Sequence, residues 1–239
     1  MRVEDLKNYG RPYSETLAEI PRPVQKLIKK ESYKVVRGHL GLMGTLHLLL
    51  LTWKEKKRLG ATDLKPIRQR GLTSEFFIRY IIQNTAIFSA MTKIRGMNES
   101  LIIHRDIMDH IAGPMNEAIL PPLRELQGFE DTFKAFRDYL MALFAAEKNA
   151  GLHDFEVVED SEKSIAVNVT YCAFCEIPRL CGIVDACEPG CYSDEVFFPG
   201  FLAVLGIRFV RTKTLARGGD CCDYRFEKIQ ESPSSSRTR

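Results

Sequence analysis

The chain has 239 residues, of which 45% are hydrophobic and 27% charged, enough apolar material for a sizeable core and too much for a disordered or fibrous protein. Its formal charge of +3 comes from 34 basic and 31 acidic residues mixed along the chain. No basic face of the kind nucleic acid requires is implied, so no nucleic-acid partner is expected.

Taken in order, the opening MRVEDLKNYGRPYSE places acids and a turn where a secretion signal needs an apolar core. A cytoplasmic location with reduced thiols is therefore expected. Residues 1–22 read as a polar lead-in and residues 231–239 as a disordered tail. Residues 23–230 read as a single α+β domain, helical over 23–150 and cysteine-rich sheet over 151–230. Pro23 suits the first turn of a helix running to about Lys57. Its most apolar part, residues 40–53, is too short to span a bilayer. A central buried helix is expected there, with membrane-surface anchoring as the lesser reading and no membrane partner. His39 and His47 on it are expected as satisfied core histidines.

After a basic loop through Pro66 and Gly71, Thr73 opens a second helix that is apolar on most of its circumference and hence buried. Asn98 reads as the N-cap of a third, ended by Gly113-Pro114. On it His104, Asp106, Asp109 and His110 match no metal motif. Pro121-Pro122 breaks the chain, residues 128–150 form an amphipathic helix, and Gly151 closes the helical body. The period then changes from helical to alternating. Residues 155–159 and 165–171 read as a hairpin turning at 160–163, with Cys172 where the second strand ends. Short helices are expected around 172–181 and 193–198, separated by a Glu188-Pro189-Gly190 turn. Two further strands, 206–215 and 222–228, are joined by a glycine-containing hairpin at 216–220. The fold class is α+β: a helical N-terminal layer packed on a small, mainly antiparallel sheet from the C-terminal third. The phosphate-binding patterns G-x-x-x-x-G-K and G-x-G-x-x-G and the nucleophile elbow G-x-S-x-G are absent.

All seven cysteines lie between positions 172 and 222. Their odd number and the adjacent pair Cys221-Cys222 suit a disulfide framework badly, which leaves metal binding, catalysis or burial. A thiolate is a strong nucleophile that needs only a modest pKa depression to exist near neutral pH. Cys172 and Cys175 start a helix after a strand, where the helix dipole favours an anion. Cys191 stands at a second helix start, three residues before Asp194. Cys222 and Asp223 are neighbours on a strand, so pleating sends them to opposite faces unless a bulge intervenes.

The segment RTKTLARGGDCCDYRFEK, residues 211–228, resembles the C-terminal signature of the L-2-amino-thiazoline-4-carboxylic acid hydrolase family. Cys172 in VTYC and Cys191 with Asp194 in GCYSDEVFF extend the likeness upstream. The resemblance implies hydrolytic opening of a small cyclic amidine or related C–N ring. In the namesake, water adds to the ring carbon between nitrogen and sulfur and an N-carbamoyl amino acid results. It implies a site built on Cys172, Cys191 and Cys222, with Asp194 and Asp223 as proton carriers or orienters. Arg211, with Thr212 beside it, is implied to bind substrate. The partner is a small molecule, no cofactor is expected, and a homo-oligomer is left open.

Cys175, Cys181, Cys187 and Cys221 exceed that pattern. They create Cys172-x2-Cys175 and Cys187-x3-Cys191, which would hold zinc if the two pairs converged. The alternative reading is a non-catalytic small-molecule or metal-binding module of 4-vinyl reductase type. Convergence of the cysteines on a carboxylate-bearing cavity marks the enzyme. A closed apolar pocket or a saturated metal site marks the binding module.

Overall fold

The computed structural model describes residues 22–118 and 123–229. The expected lead-in up to residue 21, the Pro121-Pro122 break and the tail lie outside the described residues. Helix α1 (Arg22–Leu59) takes Pro23 in its first turn, where a missing N–H costs nothing, and bends at Gly41, whose φ of 66° belongs to glycine. Only one side of it is inside. Val35, Thr45, Leu48, Thr52 and Leu59 are buried, whereas Leu42, Met43, Leu46, Leu49, Leu50 and Trp53 are exposed. The expected central buried helix is thus overturned. The centre is taken by α3 (Glu75–Arg95), and α1 packs along α3 and α4 (Met97–Glu117) on a single edge. Buried Glu55 pins that edge, accepting from Ser89 at 2.9 Å, from Arg58 and from Lys93. Burial opposes its ionisation, but these donors prevail and hold the carboxyl down at about 2.

Helix α2 (Lys65–Gln69) precedes α3, whose N-cap is Ser74 rather than Thr73: its side chain accepts from the Phe77 amide. Helix α4 begins at Met97, one residue before the expected cap Asn98, and runs on through Pro114 to Glu117. Pro114 falls in the last turn, where its missing N–H removes one bond to the carbonyl four residues back without stopping the helix. His39 pairs with Asp106 at 2.8 Å and His104 is buried with Nδ1 2.8 Å from the Ser100 carbonyl, but His47 is exposed and not a core residue.

Helices α5 (Leu123–Leu126) and α6 (Thr132–Asn149) follow, the latter capped by Asp131 on the Lys134 amide. Strands β1 (His153–Asp160) and β2 (Ser164–Cys172) form the expected hairpin. Then come α7 (Ala173–Leu180), a 3-10 turn at Val184–Cys187, α8 (Glu188–Ala203), β3 (Ile207–Val210), a second 3-10 turn at Leu215–Arg217 and β4 (Cys222–Lys228). Glu188-Pro189-Gly190 is not a separating turn but the first turn of α8, where proline is again harmless. The four strands form one antiparallel sheet in the order β1-β2-β4-β3. The protein is therefore α+β, with its sheet at the C-terminal end of the chain.

Three apolar clusters hold these layers. One joins α6 and α8 to the inner face of the sheet through Phe136, Phe144, Val167, Val169, Phe201 and Phe226. A second joins α2 and α3 to α7 through Ile67, Leu72, Phe77, Ile81 and Ile177. The third lies between α1, α3 and α4. Cysteines 172, 175, 187 and 222 belong to the first cluster, between sheet and α8.

Candidate active site

The site grows from the turn between α6 and β1. Helix α6 ends at Gly151 with φ 71°, the Leu152 amide bonding the Glu147 carbonyl at 2.9 Å and the Gly151 amide the Lys148 carbonyl at 2.9 Å. This is the two-bond left-handed ending that only glycine adopts cheaply. It reverses the chain within two residues, so His153 Nδ1 comes 2.9 Å from Glu147 Oε2.

Across the hairpin His153 faces Cys172 directly, and its Nε2 lies 3.2 Å from Cys172 Sγ. Two irregularities make this meeting. The β1/β2 register slips once between Val157 and Glu159 and once, in the opposite sense, between Asp154 and Phe155. The extra residue in β2, Thr170, reverses the alternation of the strand. Tyr171 therefore joins the α3/α7 cluster while Cys172 turns to the same core as Val167 and Val169. A carboxylate, an imidazole and a thiol thus stand in line, the arrangement that orients a base and activates a nucleophile. His153 and Glu147 are absent from the sequence-derived site. A turn at 160–163 read from the sequence sets position 153 opposite 170; the observed closing pair Asp160↔Ile165, with the two slips cancelling, sets it opposite 172.

Around Cys172 the other thiols converge. Cys175, in the first turn of α7, acts electrostatically on Cys172, Cys187 and Cys191, and Cys222 acts on Cys191. The Leu215 amide donates to Cys222 Sγ at 3.3 Å. Cys191, in the first turns of α8, is the one member of the cluster that is not buried. The charges sort accordingly. Hydrogen bonding from Cys175 lowers the Cys172 thiol most, burial works against it, and the His153 imidazolium lowers it further, so that it stands at about 6. Burial disfavours the His153 imidazolium, yet the charges of Cys172 and Glu147 outweigh it and hold its pKa well above the usual value. Cys191 is pulled down by Cys175 and Cys222, against burial, with Arg211 and Arg217 assisting. Cys175 and Cys222 are pushed up, mainly by donating to their neighbours, and so serve as thiol donors.

The remaining expected residues divide. Asp194 stands beside this array: burial pushes its carboxyl up to about 6 although Arg211 and the Tyr224 hydroxyl, each at 2.8 Å, favour the anion. Arg211, its side chain 1% exposed, also bonds Glu195 at 3.1 Å, the Tyr224 hydroxyl at 3.2 Å and the Cys191 carbonyl at 2.5 Å. It is committed to holding α8 against β4. Asp223 faces the other side of the sheet from Cys222, as pleating requires. It accepts from the amides of Thr212 and Lys213 at 2.9 and 2.7 Å and from the Thr212 hydroxyl at 2.6 Å. This capture peels the chain off after β3, which is why that strand stops at Val210 rather than continuing to 215.

Cys181 lies apart, near the Thr62 hydroxyl, and Cys221 beside Lys213 and Asp220. For the zinc alternative on Cys172, Cys175, Cys187 and Cys191, no group of three or more His, Cys, Asp or Glu side chains among the described residues is arranged to hold a metal ion. Cavities of about 760 and 360 Å³ lie elsewhere, the larger between α6 and the β3/β4 edge and the smaller beside α2.

Fold and site together describe an α+β protein in which a carboxylate, an imidazole and a thiol stand in line. The chain belongs to the L-2-amino-thiazoline-4-carboxylic acid hydrolase family, whose model matches residues 77–226, well over half of its length. The match takes in Glu147, His153 and all seven cysteines, and leaves α1 outside. No curated protein and no solved structure matches the chain significantly.

The paired charges give a direct expectation. On raising pH, thiolate absorbance in the ultraviolet should show a transition near pH 6 that Cys172→Ser removes. In His153→Gln the same transition should move up toward the ordinary cysteine value of about 8.5, because the cation stabilising the thiolate is gone. An unchanged transition in His153→Gln would break the proposed pairing.

Proposed function

We propose that this protein hydrolytically opens a small cyclic amidine or related C–N ring, with Cys172 as nucleophile. The observation that carries the reading is the Glu147–His153–Cys172 line inside a chain of this hydrolase family. The Cys172 thiolate adds to the electron-poor ring carbon between its two heteroatoms. His153, protonated at Nε2, gives its proton to the departing ring heteroatom, whose bond to that carbon breaks. The fragment stays on sulfur. His153, now neutral and oriented at Nδ1 by Glu147, takes a proton from water as the water oxygen attacks the same carbon. Cys172 leaves as thiolate and the imidazolium is restored, so one water is consumed per ring opened and an N-carbamoyl acid is the product of an amino-thiazoline substrate.

Cys175 and Cys222, as thiol donors, supply hydrogen bonds for the charge that develops at the tetrahedral stage. A substrate carboxylate is met by Arg217, which is partly exposed and acts on Cys191, rather than by Arg211, whose side chain is only 1% exposed. The chemistry is expected without a cofactor.

The burial of Cys172, Cys175, Cys187 and Cys222 favours a second reading, a closed small-molecule-binding module. One experiment separates the two. Purified protein is incubated with a panel of amino-thiazolines, cyclic amidines, lactams and hydantoins, with and without chelator, and products are followed by mass spectrometry. Ring-opened product one water heavier than substrate is expected, with a transient Cys172 adduct. Saturable binding across the panel with no product would sink the hydrolase and leave the binding module.

A further inference from the structure

The outer face of α1 is not used by anything described above. At about 100° per residue, Leu42, Met43, Leu46, Leu49, Leu50 and Trp53 fall within an arc of about 120°. Thr45, Leu48, Thr52 and Glu55, which face α3 and α4, lie on the other side. Leu49, Leu50 and Trp53 are 62%, 65% and 58% exposed. Among the described residues nothing covers them, and a contiguous stripe of this kind marks a docking surface.

Charge chooses the occupant. Helix α1 carries ten Lys and Arg against two Glu, a formal +8, while the whole chain is only +3, so the rest of the protein is −5 and the charges are not evenly mixed along the chain as the sequence reading had them. The cations flank the stripe at both ends. Lys26, Lys29, Lys30, Lys34 and Arg37 lie before it, and Lys54, Lys56, Lys57 and Arg58 after it. Lys57 Nζ sits 3.8 Å over the Trp53 ring, closing the stripe with an aromatic and a lysine, the pair that settles at lipid headgroups. A second copy would set +8 against +8, which opposes pairing through this face.

We infer that the exposed face of α1 lies in the surface of a membrane rich in anionic lipid, with the leucines below the headgroups and the lysines among them. The helix lies on the bilayer and does not cross it. Helix α1 is long and apolar enough by composition to cross a membrane, but the stripe from 42 to 53 is only about 18 Å long against a hydrocarbon thickness of about 30 Å. The opposite side of the helix is tied down through Glu55 to α3. A strongly cationic helix with one apolar face is the general form of an interfacial anchor. This departs from the sequence expectation of no membrane partner, and it stands independently of the chemistry at Cys172.

Trp53 is the only tryptophan in the chain and lies in the stripe, so it reports directly. The full-length protein is mixed with phosphatidylcholine vesicles containing about 30% phosphatidylserine, with pure phosphatidylcholine vesicles alongside. Co-sedimentation and a blue shift of Trp53 emission are expected with the anionic vesicles only, weakening as salt rises. The variant Leu49→Glu with Leu50→Glu, both surface positions, should keep its circular dichroism and lose vesicle affinity by about tenfold or more. No binding, equal binding to neutral vesicles, or binding retained by the double variant overturns the inference. So does a concentration-dependent dimer, seen by light scattering, that the double variant abolishes.

Discussion

Replacing Cys172 by serine should lower ring-opening turnover at least about a thousandfold while leaving the melting temperature nearly unchanged. The oxygen is close in size to sulfur, so the packing between sheet and α8 survives. A serine hydroxyl, however, has no populated anion near neutral pH, whereas the Cys172 thiol stands at about 6 beside a protonated His153. Glu147→Gln should cost roughly a hundredfold or more in kcat with less change in KM, because the amide lets His153 take the wrong tautomer. The comparison is decisive in one respect. If Cys191→Ser abolishes turnover while Cys172→Ser retains it, the nucleophile is the more accessible thiol at the start of α8, and the His153 line is structural. Steady-state kinetics on the first ring-opened substrate found, together with thermal melting of each variant, distinguishes these outcomes.

Gly151→Ala should be the most destabilising small substitution in the molecule. Residue 151 has φ 71°, and a Cβ there would stand 2.3 Å from the Leu72 amide nitrogen and 2.4 Å from the Gly71 carbonyl carbon. Both are backbone atoms of the segment leading into α3, so neither gives way as a side chain would. Left-handed strain and this clash together should cost about 3 kcal/mol or more. For a protein of this size that is a fall of roughly 6–12 °C in Tm by differential scanning calorimetry. Activity should fall further than stability alone explains, since the same turn sets Glu147 against His153. Gly113→Ala is the control. Residue 113 lies inside α4 with nothing within 4 Å of the added Cβ, so the change should be neutral or stabilise by about 0.5–1 kcal/mol. Equal melting temperatures for the two variants would refute the argument from close approach.

Much of this protein was determined by local sequence. Pro23 and Pro189 started helices, the alternation at 155–159 and 165–171 specified a hairpin, and the 211–228 segment carried the family. The α+β class followed, because helical and strand periodicities are written in short windows and need no knowledge of partners. Tertiary structure alone decided three things. It showed which side of α1 is inside, since an all-apolar run is the same whether it has neighbours on one edge or all round. It decided that Cys172 faces the core, through one extra residue at Thr170 that pattern reading does not register. It also decided which charged groups stand beside Cys172. The expected partners Asp194, Arg211 and Asp223 are absorbed in holding α8 and the chain after β3, while Glu147 and His153 meet only where a glycine reverses the chain at the end of α6. Charges commit to whichever neighbours folding brings within about 4 Å, and sequence spacing does not contain that distance.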